Sequence, residues 1–196
     1  MKGTAQSRLT GHAAGHIRGQ MFGSDSAEYK DLLKEASADL LTAGEYDSLK
    51  CEGLAEVEAP LKLTGNVTFP VVSEQAGRLL FKPLDYFVKR DNPFVSATRL
   101  TPIVFRSAYQ RKESAQFELS EGWSIEALPA DTMFVNRVGK CGVQFTQLGN
   151  LLTVQRSFTL NAPMWKVEDY RDVRALFQAR QDMSDRVAVL TAKASN

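Results

Sequence analysis

Val143-Gln-Phe-Thr-Gln-Leu-Gly-Asn-Leu-Leu-Thr-Val-Gln-Arg-Ser-Phe158 is the stretch on which the fold turns. Two runs of alternating residues, Val143–Phe145 and Leu152–Phe158, flank Gln147-Leu148-Gly149-Asn150-Leu151. A two-residue Gly-Asn connection between alternating runs is a strong hairpin signal.

The same period of two extends outward from this hairpin. Leu61, Leu63, Val67 and Phe69 alternate with Lys62, Thr64, Asn66 and Thr68, a half-buried strand that Pro70 stops. Further strands are expected at about 77–82, 99–109, 112–119, 123–128, 131–137, 141–147 and 150–160. Gly122, Gly139 and the prolines at 83, 93, 102 and 129 supply the breaks between them.

Two segments carry a helical period. In residues 25–43, Tyr29, Leu32, Leu33, Ala36 and Leu40 form one stripe, with Ser24 or Asp25 to cap the start and Gly44 past the end. Residues 166–181 follow Pro163 and turn Val167, Tyr170, Val173 and Phe177 one way. Val187–Leu190 reads as a closing strand. Residues 4–22, punctuated by Gly11, Gly15 and Gly19, read as two short strands joined near Gly11-His12. The fold class is mainly β within α+β: an antiparallel β-sandwich carrying two amphipathic helices. Residues 1–60 form a leading strand–strand–helix–strand segment packed on the main domain, residues 61–196.

Bulk properties narrow the function. The 196 residues are 43% hydrophobic, enough for a core that needs no metal or disulfide staple. A net charge of +1, with basic residues scattered, argues against a nucleic-acid partner. No apolar run approaches the roughly 20 residues of a membrane helix, so no membrane insertion is expected. Met1–Gln20 is polar and has no signal-peptide core; either the protein is cytoplasmic or the chain is a fragment of a longer one.

No catalytic set assembles from the sequence. The only histidines, His12 and His16, are four apart, but no third or fourth metal ligand is spaced to join them. The tract Gly11–Gly19 lacks the Lys-Ser/Thr of a phosphate loop. No Gly-x-Ser-x-Gly elbow is present. Cys51 and Cys141, two widely spaced cysteines, make neither a zinc motif nor a disulfide-rich scaffold, and packed thiols are expected over a single bridge; neither falls at a helix start where a thiolate nucleophile is stabilised. A Cys-His hydrolase using one of them is the weakest of the functional alternatives. Asn66-Val-Thr68 matches the glycosylation triplet on a solvated strand face and carries nothing further. No cofactor, metal or catalytic residue is assigned.

A contact surface is more plausible on these residues. Trp123, Trp165, Tyr86, Phe87 and Phe94 offer aromatic area for a carbohydrate-binding or peptide-binding face. Phe87 and Phe94 flank the polar loop Lys89-Arg90-Asp91-Asn92-Pro93. The candidate contact set is therefore Phe87, Arg90, Asn92, Phe94 and Trp123.

The same region carries a family resemblance. Arg90-Asp-Asn-Pro-Phe94, Arg99-Leu-Thr-Pro-Ile-Val-Phe105, Tyr109, Phe117-Glu-Leu119, Gly122-Trp-Ser-Ile-Glu-Ala-Leu-Pro129, Leu152-Thr-Val-Gln-Arg156 and Tyr170-Arg-Asp-Val-Arg174-Ala-Leu-Phe177 occur in order. That succession resembles the C-terminal domain of multidomain transglutaminase-like proteins of Bacteroidetes-type bacteria. The resemblance implies a non-catalytic accessory or interaction domain. Its partner would be a papain-like transglutaminase core upstream in the same parent chain. It also implies an envelope, periplasmic or exported location for that parent. The family's catalytic Cys, His and Asp belong to the core, and none transfers to a residue of this chain.

Overall fold

The computed structural model describes residues 2–38, 45–68, 73–75, 77–87 and 91–193. Its strands are β1 (Lys2–Leu9), β2 (Glu45–Glu52), β3 (Leu61–Thr68), β4 (Ser73–Gln75), β5 (Arg78–Phe81), β6 (Ile103–Val104), β7 (Tyr109–Glu118), β8 (Trp123–Ala127), β9 (Thr132–Val135), β10 (Gly139–Leu148), β11 (Leu151–Leu160), β12 (Met164–Trp165) and β13 (Ala188–Ala192). The α-helices are α1 (Gly11–Met21), α2 (Ser26–Ala38) and α3 (Tyr170–Ser184). The chain is a β-rich α+β fold in which every strand pair among the described residues is antiparallel.

A seven-stranded sheet, in the order β2-β3-β1-β7-β11-β10-β9, is the frame. The β10–β11 hairpin lies in it with the expected register, Leu148 opposite Leu151 and Val143 opposite Arg156. Gly149 has φ +61°, the left-handed value that the first residue of such a two-residue loop adopts at no steric cost. One face of the sheet is buried along its length, through Leu61, Leu63 and Val67 of β3, Ala5 and Leu9 of β1, Ala115 and Phe117 of β7, and Leu152, Val154 and Phe158 of β11.

Three bodies cover that face. A four-stranded sheet, β4-β5-β13-β8, sets Phe81 edge-on against Phe117, with ring centroids 4.8 Å apart. Helix α3 lies against β10 and β9 and buries Val173, Leu176 and Phe177. Helices α1 and α2 pack together, α1 also against β7 and α2 against β2. The expected layering of sheet and helices is therefore present.

Three local expectations change. Residues 4–22 form one strand and one helix, not two strands. Gly11, at φ +59°, turns the chain out of β1, and Ala14, Ile17 and Met21 recur at helical spacing to bury one stripe. Gly15 and Gly19 sit on the exposed side. Each costs roughly 1 kcal/mol against alanine in a helix, a penalty the buried stripe offsets. Strand β1 lies inside the seven-stranded sheet. It is paired on both sides, Ala5 opposite both Gly65 of β3 and Ala115 of β7. Of the strand expected at 99–109, only Ile103–Val104 pairs before β7 begins at Tyr109, because Pro102 cannot donate to a ladder. Helix α3 starts at Tyr170 after a 3-10 turn at Val167–Asp169, whose Asp169 accepts a hydrogen bond from the Lys166 N–H at 3.0 Å.

The cap of α2 is Asp25. Its Oδ1 accepts the N–H groups of Ala27 and Glu28 at 2.8 and 2.9 Å, while the Ser24 hydroxyl donates back to the Met21 carbonyl. Leu40, Gly44, Phe69 and Pro70 lie outside the described residues. No helix among the described residues is long and apolar enough to cross a membrane.

Candidate functional site

Three of the five residues singled out for contact, Phe87, Asn92 and Phe94, are buried and serve the core and its anchoring. Phe94 is only 6% exposed and meets Phe105, Tyr170 and Phe177 at centroid distances of 6.0, 6.0 and 5.0 Å. Asn92 is buried too. Its Nδ2 donates to Gln178 Oε1 at 3.1 Å, its Oδ1 accepts the Phe94 N–H at 2.9 Å, and its own N–H donates to Gln181 Oε1. The Arg174 Nε donates to the Phe94 carbonyl, and the Tyr170 hydroxyl to the Ser96 carbonyl at 2.7 Å. Together they pin the 92–96 loop to α3. Phe87 is fully buried beneath the Arg156 guanidinium, 4.8 Å from its ring centre. Trp123 is half-buried at the start of β8, opposite Ala192. Arg90 lies outside the described residues. Phe87 and Phe94 thus offer no face to solvent.

Between this pinned loop and β6 the chain exposes both polar residues, among them Ser96, Thr98, Arg99 and Thr101, and large apolar ones. Leu100 is 93% exposed, and Val95, Val104 and Met164 are exposed as well. Val104 and Met164 sit opposite one another in the β6–β12 ribbon. The ribbon's two segments are joined further by the Phe105 N–H to the Pro163 carbonyl at 2.7 Å, and its second segment is braced by the Trp165 indole N–H to the Ala162 carbonyl at 2.9 Å.

A second feature lies at the other end of α3. A cavity of about 290 Å³ opens between α1, α2, β7, β10, β11 and α3. Leu9, Ile17, Leu32, Ala36, Phe158 and Met183 make its apolar walls. Arg111, Glu113, Arg156 and Arg180 also line it, and all four are buried. Glu113 holds two guanidiniums, Arg111 at 2.8 Å on one oxygen and Arg156 at 2.7 Å on the other. The Arg156 Nε adds a second bond to the same carboxylate at 2.8 Å. Arg180 reaches in from α3, its guanidinium 4.8 Å from the Phe158 ring centre.

This cluster escaped the reading of the sequence, although a signal for it was present. In β7, Arg111 and Glu113 share the inward parity of Ala115 and Phe117. In β11, Arg156 shares that of Leu152, Val154 and Phe158. Charged residues on the apolar parity of neighbouring strands mark a buried network.

The structure brings His12, His16 and Cys141 to the same cavity. On helix α1 the two histidines do share a face, and both are exposed. Among the described residues no group of three or more His, Cys, Asp or Glu is placed to hold a metal ion. The Cys141 thiol points to the Leu176 carbonyl, 3.8 Å away. Burial pushes it up to about 11, with Arg180 pulling weakly the other way. Burial likewise pushes Cys51 up to about 11, against Arg18. Both cysteines are free thiols, and both are held protonated at neutral pH, the reverse of an activated nucleophile.

Comparison with known proteins gives a family and little more. The family described as "Domain of Unknown Function with solved-structure structure (DUF3858)" matches residues 77–190, more than half of the chain. None of the curated proteins matches. Among solved structures, a "putative protease" from Parabacteroides distasonis is similar, at 17% identity and a TM-score of 0.48. The match covers 60% of this chain and 24% of that one, so it spans about a quarter of the longer protein.

Proposed function

From the premise that this chain belongs to the DUF3858 family, we propose that it is a non-catalytic module whose task is contact with another protein body. The observation that carries the reading is the exposure of Val95, Leu100, Val104 and Met164, with Val104 and Met164 opposite one another on the ribbon and Val95 next to the buried Phe94. Exposed apolar area held by hydrogen bonds and a buried aromatic cluster is characteristic of a docking surface rather than of a disordered loop. The two thiols, one buried and one half-buried and both protonated at neutral pH, are consistent with the non-catalytic part of the proposal. The partner, in this proposal, is the papain-like transglutaminase core that the order of motifs implies, upstream in one bacterial parent chain.

Two measurements test it. An antibody against this domain should detect, in the source cell, a polypeptide much larger than the 21.7 kDa of this chain. A native band at 21.7 kDa would overturn the accessory reading. If the band is larger, the chain and the upstream core should raise each other's melting temperature when mixed. Leu100→Asp with Val104→Asp should abolish that effect while the chain stays folded. Mutual stabilisation that survives the double variant would move the contact surface elsewhere.

A further inference from the structure

The outer face of the seven-stranded sheet, opposite the buried one, carries an inference of its own. Arg8 of β1 lies directly opposite Lys62 of β3 on one side and Lys112 of β7 on the other. All three point away from the core, since their neighbours Ser7, Leu9, Leu61, Leu63, Arg111 and Glu113 are buried. Arg8 and Lys112 are exposed and Lys62 is half-buried. Three cations scattered along the sequence thus stand in one row across three adjacent strands. Among the described residues none of the three side chains takes a hydrogen bond or an ion pair. Glu52 of β2 stands opposite Lys62 at the end of the row, so the row holds three cations to one carboxylate. On β7 the next outward carboxylate is Glu118, roughly 20 Å further along the strand at about 3.4 Å per residue. Like charges directly opposite one another destabilise a sheet. Lysines on an edge strand guard it against aggregation, but β3, β1 and β7 are interior strands. Neither pairing nor edge protection accounts for the row, and breaches of local rules concentrate at functional sites.

We propose that this face binds an acidic polysaccharide, its acid groups received by Lys62, Arg8 and Lys112 and its hydroxyls by the uncharged row beside them. In that second row Thr64, Gln6, Ser114 and Gln155 stand opposite one another on β3, β1, β7 and β11. Hydroxyl and amide side chains both donate and accept, as sugar hydroxyls require. Neighbouring strands lie about 4.8 Å apart, so the first row presents one cation at a repeat comparable to the length of a sugar ring. Other polyanions match the face less well. The two rows hold no aromatic ring, on which single-stranded nucleic acid stacks. They hold no apolar side chain to enter a lipid surface. An extended acidic peptide adds at a sheet edge, whereas these strands are paired on both sides.

The test uses the whole chain, labelled with nitrogen-15, at low salt, and four probes: trigalacturonic acid, the neutral trisaccharide maltotriose, oligoglutamate and a short single-stranded DNA. Trigalacturonic acid is expected to shift amide resonances of β1, β3 and β7 saturably, to bind at least about tenfold tighter than maltotriose, and to lose affinity as salt rises. Arg8→Gln combined with Lys62→Gln and Lys112→Gln should weaken it about tenfold or more, and should leave the urea midpoint unchanged or higher because like charges have been removed from neighbouring strands. Lys30→Gln combined with Lys34→Gln and Lys193→Gln removes the same charge from exposed positions elsewhere and should change the affinity by less than about twofold. Absence of saturable shifts, or shifts confined to other elements, overturns the proposal. So does equal binding of maltotriose, tighter binding of oligoglutamate or DNA, or an equal loss in the second triple variant. A urea midpoint lowered by the first triple variant would overturn it as well, by giving the row a structural role.

Discussion

Glu113→Gln removes one negative charge from the wall of the cavity and leaves its shape nearly intact. The carboxylate is 3% exposed, and the guanidiniums it holds are 10% and 7% exposed, so solvent screens little. Three contacts of 2.7 to 2.8 Å link it to Arg111 and Arg156. A charge-assisted hydrogen bond contributes about 1.5–3 kcal/mol. Glutamine keeps one neutral acceptor oxygen but turns a donor toward the other guanidinium. With its oxygen kept toward Arg156, the variant loses the ion pair of Arg111 with Oε1, an oxygen that accepts no hydrogen bond, and weakens the contacts from Arg156, a cost of about 3 kcal/mol. That is the low end of the 3–5 kcal/mol seen when one partner of a buried ion pair is removed. At roughly 2–4 °C per kcal/mol for a domain of this size, the melting temperature should fall by about 6–12 °C. Urea unfolding followed by tryptophan fluorescence, with the slope unchanged, measures the loss directly. A change under about 1 kcal/mol would refute the reasoning and mean that water reaches the network.

Other substitutions probe different terms. Gly139→Ala would place a methyl group 1.9 Å from the Thr159 carbonyl oxygen, a backbone atom that cannot swing away, and should cost about 3 kcal/mol, the top of the overpacking range. Gly142→Ala meets mainly the flexible end of Met133 at 2.9 Å, so its loss of urea stability should be the smaller of the two; the reverse ranking would contradict the register of β9 and β10. Both thiols titrate higher in the folded chain than the ordinary value near 9, so the stability they confer is present below pH 9 and lost as pH rises toward 11. Cys51→Ala with Cys141→Ala should flatten the fall of the urea midpoint over that interval, and both native thiols should react with a thiol reagent at pH 8 far more slowly than in urea. Asp25 is shifted the opposite way, held below the usual carboxylate value by the N–H groups of Glu28 and Ala27. Asp25→Ala should therefore lower the urea midpoint at pH 7, and the gap to the unmutated chain should close as pH drops below about 4. A gap independent of pH would remove the cap from the account.

The sequence by itself determined the hairpin β10–β11, the strand at 61–68, helix α3 and the burial of one face of α2. Those elements rest on local period, turn chemistry and parity, which act within a few residues. The parity of Arg111, Glu113 and Arg156, shared with the apolar residues of their strands, also points them inward. Tertiary structure decided the rest. Helix α1 is a weak helix on propensity, since glycine at positions 15 and 19 works against it. It forms because Ala14, Ile17 and Met21 find a core to enter, and β1 enters the sheet because β3 and β7 complete its hydrogen bonds on both sides. Phe94 reads as a surface aromatic in a polar loop and becomes core only when α3, some 80 residues later, closes over it. Nothing in the local pattern could say that strands β7 and β11 would set Glu113 opposite Arg156, or that α3 would bring Arg180 to the same cavity. Charge clusters of that kind are made by chain segments distant in sequence, and their energy depends on a burial that exists only once the sheet has closed.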